Sequence, residues 1–389
     1  MFSINPGLAQ VEVGESAISL VEGDIGRLSY RGVAIEELVE WSFVKVVYLV
    51  LTGDISSART LAEFENALFQ ARTLTLAEVE LALHLSAMAH VHPMQVLQSM
   101  TPTLDTSTAE HTFPMFDTDV ACGLVIAAKI PNLIALLRNL RTKQWSGNSP
   151  TLMQHVSKDY GTNNLNAIFL HHLKSSNTEQ ELQIGHLNAF SATQILQVEH
   201  SFNASTFAAR VVASTLSPVS NVLAAAFGTL HGRLHGGADQ AALQTALKVG
   251  KPECAAAFVD KCLENGDKVM GMGHREYKVV DPRAIFLKDC ARTLSRGTEH
   301  QNSFETLEAI EARFTERMLE KGKALHANLE FYKGIVYSVL GLSPDYFTTG
   351  FSMARVYGYL AHFQESRVNN VLIRPGVKYV GKQILKVPC

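Results

Sequence analysis

Apolar residues recur at helical spacing along most of the chain. Phe304, Leu307, Ile310, Phe314 and Met318 share one broad helical face, and core packing accounts for them. Thr75-Leu-Ala-Glu78 has the spacing of a capping box, with Val79, Leu81, Leu83, Leu85 and Met88 behind it, so a helix is predicted to start there. The pattern changes near the N-terminus. Between Val11 and Ser29, short apolar alternations broken by Gly14, Gly23 and Gly26 predict a small β-hairpin. Pro93, Pro131, Pro218, Pro252, Pro282, Pro344 and Pro375 punctuate the helical runs as starts or breaks. Thr101–Pro114 and Ser146–Pro150 are polar and irregular and read as loops. No repeat, low-complexity tract or linker divides the chain, so a second domain would be an insertion within a continuous fold. The expected class is mostly α.

Composition narrows the picture. The chain has 389 residues, enough for a large core and two domains. With 47% apolar residues it is globular rather than disordered. A formal charge of −3 argues against an extended nucleic-acid surface. The cysteines are Cys122, Cys254, Cys262, Cys290 and Cys389, an odd count with no CxxC spacing. Free thiols in a reducing compartment are the simplest account. The opening MFSINPGLAQ carries no signal-peptide pattern, and no apolar run reaches membrane-spanning length. A cytoplasmic protein with no membrane or nucleic-acid partner is expected.

The candidate chemistry lies in two strings, LHGRLHGGA at Leu230–Ala238 and GMGHREYKVVDPR at Gly271–Arg283. Each sets histidine among glycines, and Arg283 follows His274 by nine residues. Glycine lets the backbone approach a bound group. Histidine handles protons near neutral pH, and arginine offers a fixed fork to a carboxylate. Together they suggest an acid/base site for an anionic substrate. His231 and His235 have the i, i+4 spacing of zinc ligands on a helix, but glycines interrupt that helix and no nearby carboxylate or cysteine completes the set. No metal is expected.

These strings resemble the citrate synthase family, and further strings extend the match almost end to end. They are LSYRG at Leu28–Gly32, YLVLTGD at Tyr48–Asp54, HPMQVL at His92–Leu97 and EHSFNASTFAARVVAST at Glu199–Thr215. NLEFY at Asn328–Tyr332, ARVYGYLAH at Ala354–His362 and RPGVKYVG at Arg374–Gly381 follow in the family's order. The resemblance implies a large helical domain, residues 1–236 and 341–389, with a smaller helical domain inserted at 237–340. It implies a homodimer that condenses an acyl-CoA with oxaloacetate, using no metal or prosthetic group as cofactor. Such a reaction needs a base for a carbon acid, donors for developing oxyanions, and cations for two carboxylates.

By resemblance, His235 holds the thioester enol, His274 donates to the oxaloacetate carbonyl, and Glu330 is the base. His200, Arg283 and Arg355 hold oxaloacetate, and Arg374 reaches the partner's site. Val269–Gly273, with Gly271 and Gly273, contacts CoA, with Lys278 near its phosphates. Two departures stand out. The family's base is normally aspartate, where this chain has Glu330. LQVEHS at Leu196–Ser201 departs from the common LHADHE, and its EH-x-FNASTF context resembles the 2-methylcitrate synthase branch, whereas GHREYK looks like ordinary bacterial citrate synthases with Glu276 for a usual valine. Citrate synthase is the first expectation, 2-methylcitrate synthase acting on propionyl-CoA the second. A silent relative that only binds oxaloacetate or CoA is the rival from another class.

Overall fold

A computed structural model of the chain describes residues 5, 7–8, 11–174 and 183–382; Cys389 lies outside them. The expected hairpin is a three-stranded antiparallel sheet in the order β1 (Ser19–Glu22), β2 (Arg27–Tyr30), β3 (Val33–Ala34). Ser19 pairs with Tyr30 and Val21 with Leu28, which buries Leu28 and Tyr30. The third strand has two residues, too few to show an alternation in sequence. Gly23 lies in the β1–β2 connection. A Cβ there would meet the Glu276 carbonyl oxygen at 2.0 Å, so this turn docks against the segment after His274.

The rest of the described chain is helical. The Leu76–Ser86 helix has the predicted capping box: Glu78 N donates to Thr75 Oγ1 at 3.3 Å, and Thr75 N donates to Glu78 Oε2 at 2.6 Å. Pro93 and Pro282 open helices. Pro131 does not act as a break. It sits inside the Thr118–Arg141 helix, buried from Ile126 to Asn139. Packing on all sides offsets the roughly 3 kcal/mol that an interior proline costs. That same helix corrects the reading that no run reaches membrane-spanning length. Its 24 residues and hydropathy of 2.1 pass the test, yet 94% of the apolar window is buried inside the protein. It is the core helix around which others pack.

The expected loop at Thr101–Pro114 contains a 3-10 turn, Thr101–Thr103, and a one-turn helix, Ala109–Thr112. The second expected loop ends earlier than Pro150, because Asn148 caps a helix starting at Ser149. In the Gln301–Glu320 helix, Phe304, Leu307, Ile310, Phe314 and Met318 are all buried, as their periodicity predicts. The helices Ala238–Val249, Ala255–Asn265, Pro282–Ser295, Gln301–Glu320 and Leu329–Val339 pack on one another. The Ile184–Ile195 helix contacts this group from outside. The Phe347–Val368 helix is buried from Phe347 to Phe363 and carries Arg355 into the core.

Candidate active site

The loop before His274 is pinned to the start of the Leu329–Val339 helix. Gly271 and Gly273 have φ of +83° and +86°. A Cβ on Gly271 would also stand 2.7 Å from Phe331 Cδ2, so only glycine fits. Asn328 N donates to the Gly271 carbonyl at 2.9 Å, and Gly273 N donates to the His326 carbonyl at 2.7 Å. Asn328 Nδ2 then donates to the Gly273 carbonyl at 2.9 Å, while its Oδ1 caps the helix by accepting from Glu330 N. Two distant strings are thereby stitched side by side, with His274 and Glu330 just beyond the stitches.

His274 has a defined tautomer. Its Nδ1 accepts from Glu276 N at 3.0 Å and Tyr277 N at 3.1 Å. Backbone N–H groups only donate, so the neutral ring carries its proton on Nε2. Burial, aided by the Arg283 charge, lowers its pKa to about 4, so the ring is neutral at pH 7. Arg283 Nη2 lies 3.4 Å from His274 Nε2. Two donors held that close form a cradle for an acceptor oxygen. Arg283 is buried and bound by Asp281 through Nε at 3.0 Å and Nη2 at 2.9 Å. Burial works against the Arg283 charge, but Asp281 outweighs it and holds the guanidinium protonated. Asp281 also accepts from Leu329 N at 3.2 Å, which ties this arginine to the helix bearing Glu330. His200 completes the group: its Nε2 is 3.2 Å from Tyr277 Oη, and its ring centroid is 5.4 Å from that of His274. Burial first, then Arg283, drives its pKa well below the ordinary value.

His235 stands on a hydroxyl relay. Its Nε2 is 2.7 Å from Ser205 Oγ, which accepts from Tyr359 Oη at 2.7 Å. Ser205 has one proton and two acceptors in reach, Asn203 Oδ1 at 2.8 Å and His235 Nε2. When Ser205 donates to Nε2, the histidine proton is left on Nδ1. Burial, then the charges of Arg355 and Lys333, lower the His235 pKa to about 4.

Glu330 sits in the first turn of its helix with a 12% exposed side chain, and its Oε2 is 2.6 Å from buried Lys333 Nζ. Burial pushes the Glu330 pKa up to about 7; the charge of Asp239 adds to this, while Lys333 and Arg283 oppose it. Lys333 donates to Gln197 Oε1 at 3.1 Å, and the Gln197 carbonyl accepts from Arg355 Nε at 2.6 Å. Arg355 is 2% exposed, with its guanidinium 4.6 Å from the Phe351 ring centre. The cluster therefore offers three neutral histidines, two buried arginines and, at Glu330, a carboxylate whose pKa is raised. That combination suits abstraction of a weakly acidic proton beside a dianion.

Comparison with known proteins identifies the lineage. The family described as citrate synthase, C-terminal domain, matches residues 7–376. The chain belongs to the citrate synthase family. It is an enzyme of that type, and its fold agrees. It is 36% identical to the citrate synthase of Synechocystis over 377 residues, 96% of this chain and 90% of that one. It is 33% identical to 2-methylcitrate synthase 2 of Corynebacterium glutamicum, over 98% of this chain and 95% of that one. Among solved structures, citrate synthase from Thermoplasma acidophilum, in ternary complex with carboxymethyl-CoA and oxaloacetate, superposes with a TM-score of 0.85 at 25% identity, covering 99% of this chain and 98% of that one.

Within this citrate synthase fold the expected residues divide into two groups. His200, His274, Arg283, Glu330 and Arg355 are linked through the contacts above, and His235 stands on its own relay with Ser205 and Tyr359, reached only by the charges of Arg355 and Lys333. Arg374 is exposed on the segment after the last helix and makes no hydrogen bond or ion pair among the described residues. Lys278 is exposed and paired with Asp24 at 2.6 Å. Val269 is buried. His231 stacks on His92 at 4.4 Å between ring centres. Glu199, one of the departures in sequence, is fully buried and bonded to His362 at 2.9 Å. Sequence reading missed Ser205, Asp239, Tyr277, Asp281, Lys333 and Tyr359. Asp281-Pro282 has the spacing of a helix start, and Lys333 sits at i+3 from Glu330, so those two carried a local signal. Ser205 and Tyr359 reach His235 only through tertiary packing.

Proposed function

We propose that Glu330, His235 and His274 carry the chemistry of this enzyme, which condenses acetyl-CoA with oxaloacetate and water to give citrate and CoA. The observation that carries the assignment is geometric: Glu330 Oε2 is 2.6 Å from buried Lys333 Nζ, at the start of a helix tied through Asp281 to Arg283, whose Nη2 is 3.4 Å from His274 Nε2. Glu330 takes a proton from the carbon beside the thioester, and His235 Nδ1–H stabilises the enolate oxygen. The enolate carbon attacks the oxaloacetate carbonyl, whose oxygen becomes an alkoxide stabilised by His274 Nε2–H. Arg283, Arg355 and His200 hold the oxaloacetate carboxylates. Water then cleaves the thioester and releases CoA, and the CoA thioester is a substrate, with no cofactor called for in this reading. The 269–273 loop, with Gly271 and Gly273, contacts CoA, with Lys278 at its phosphates. The helices of 237–340 form the smaller domain that closes on the substrates.

The enzyme is read as a homodimer in which Arg374 completes the partner's site. Its exposure beside exposed Val371, Leu372, Val377, Tyr379 and Val380 supports a covered arm in the assembly. Free Cys122, Cys254, Cys262 and Cys290 support a cytoplasmic enzyme, and citrate formation would place it in the tricarboxylic acid cycle.

The test is proton exchange. With a 2-hydroxy analogue of oxaloacetate bound, wild type exchanges the acetyl-CoA methyl protons with deuterated water, and Glu330→Gln does not. Equal exchange in both would assign the base elsewhere. CoA release with acetyl-CoA against propionyl-CoA decides between citrate and 2-methylcitrate, the latter favoured by the relatives of that name and by the EH-x-FNASTF string at Glu199–Phe207.

A further inference from the structure

The proton-abstracting position rests on a buried ionic cluster that the reaction above does not use. The Lys333 side chain has no solvent exposure. Its Nζ hydrogen-bonds Gln197 Oε1 at 3.1 Å and lies 2.6 Å from Glu330 Oε2 and 3.2 Å from Asp239 Oδ2. The Phe351 ring centre is 4.1 Å away. Removing an ammonium from water is costly unless opposite charge and acceptors surround it, and here three segments converge to do so: Gln197 accepts a hydrogen bond, and Glu330 and Asp239 supply ion pairs. Asp239 is itself fully buried, in the first turn of the Ala238–Val249 helix. Packing alone would be met by an apolar side chain. Instead the fold maintains one cation between two carboxylates, directly behind the base.

We propose that Lys333, braced by Asp239 and Gln197, is a positioning residue for the proton-abstracting carboxylate. It fixes Glu330 by Oε2, leaves Oε1 to receive the substrate proton, and keeps the carboxylate ionised where burial would neutralise it. The inference rests on Glu330 being the base. A glutamate side chain has three rotatable bonds, and one anchored oxygen removes most of that freedom before substrate arrives. The electrostatics have the same sense. The charged groups facing Glu330 are Lys333, Asp239 and Arg283; burial and Asp239 favour its neutral form, while Lys333 and Arg283 favour the anion. The Lys333 charge also acts on His235, and Gln197 Nε2 donates to the Tyr337 hydroxyl on the other side. Through the Gln197 carbonyl, the same bracket reaches Arg355 at 2.6 Å, so the seat of the base and an oxaloacetate arginine share one support.

The measurement is kcat against pH, with acetyl-CoA and oxaloacetate, for wild type, Lys333→Met and Asp239→Asn. Lys333→Met removes the opposing charge, so the acid limb moves to higher pH by about 1–3 units, with kcat recovering in alkali. The KM for oxaloacetate changes by less than about twofold, because this lysine touches no substrate. Asp239→Asn removes a like charge and moves the limb to lower pH. A lysine that serves packing alone would give a uniform loss with the limb in place. If Lys333→Met does not fold, the Asp239→Asn shift decides alone. A limb unmoved in the folded variants overturns the proposal, whereas exchange surviving Glu330→Gln overturns the base assignment instead.

Discussion

Replacing Glu330 by aspartate shortens the side chain by one methylene, about 1.5 Å along the chain. In the native site Oε2 is held 2.6 Å from Lys333 Nζ. Lys333 and Glu330 leave the same helix at i and i+3, so the retreating carboxylate follows the lysine and not the substrate. The backbone cannot compensate easily, since Asn328 Oδ1 holds Glu330 N at 2.9 Å and Asp281 holds Leu329 N at 3.2 Å. Misplacement of a reacting group by about 1 Å costs roughly a hundredfold in rate. We therefore expect kcat for Glu330→Asp to fall about a hundredfold, near 2.7 kcal/mol of barrier, with little change in KM for oxaloacetate. The assay is CoA release at saturating substrate, with the exchange of acetyl-CoA methyl protons as a second readout. A rate equal to or above wild type would refute the reasoning. It would mean that the site keeps a geometry fitted to the shorter carboxylate.

Further predictions follow from the same contacts. Because the Glu330 pKa is raised to about 7 and the base must be ionised, activity is lost as pH falls through that value, and kcat should rise about tenfold from pH 6 to pH 8; a flat profile there would contradict the assignment. His274→Ala removes the donor to the forming alkoxide and should lower kcat about 10²–10³-fold without changing the far-ultraviolet circular dichroism. Ser205→Ala frees His235 Nε2 to take the proton; a fall in kcat of about fivefold, from about 1 kcal/mol of lost hydrogen bonding, should accompany a changed imidazole tautomer in nitrogen-15 spectra. Arg374→Ala and Arg283→Ala subunits should each be weak alone and recover activity when mixed, and no recovery in a verified heterodimer would place Arg374 in its own chain's site.

Much of this was legible in the sequence because the signals are local. The capping box at Thr75–Glu78 and the buried stripe from Phe304 to Met318 need only their own neighbours. The histidine–glycine strings were legible for a related reason, since positive φ at Gly271 and Gly273 and the contact with Phe331 demand glycine. What was not legible depends on long-range packing. Pro131 looked like a break because its cost is local, whereas the burial that offsets it comes from helices far away in sequence. The i+3 spacing of Lys333 from Glu330 signals a pair but does not distinguish a buried ammonium from a surface one. Only the fold brings Asp239 and Gln197 to its ammonium.

Asp281 shows why the departures at Gln197 and Glu330 are better read together than as separate defects. Its carboxylate caps the helix that starts at Pro282, bonds both ends of the Arg283 fork, and accepts from Leu329 N. One buried residue therefore sets both Arg283 and the start of the helix that carries Glu330. Gln197 does the equivalent on the far side, between Lys333 and Arg355. A longer carboxylate at position 330 is tolerable only if its oxygen is fixed by something other than its own backbone. The chain supplies that something in Lys333, and supplies Lys333 with acceptors from segments more than ninety residues away in either case. An ammonium held without solvent exposure between two carboxylates carries a desolvation cost that a packing role alone does not call for.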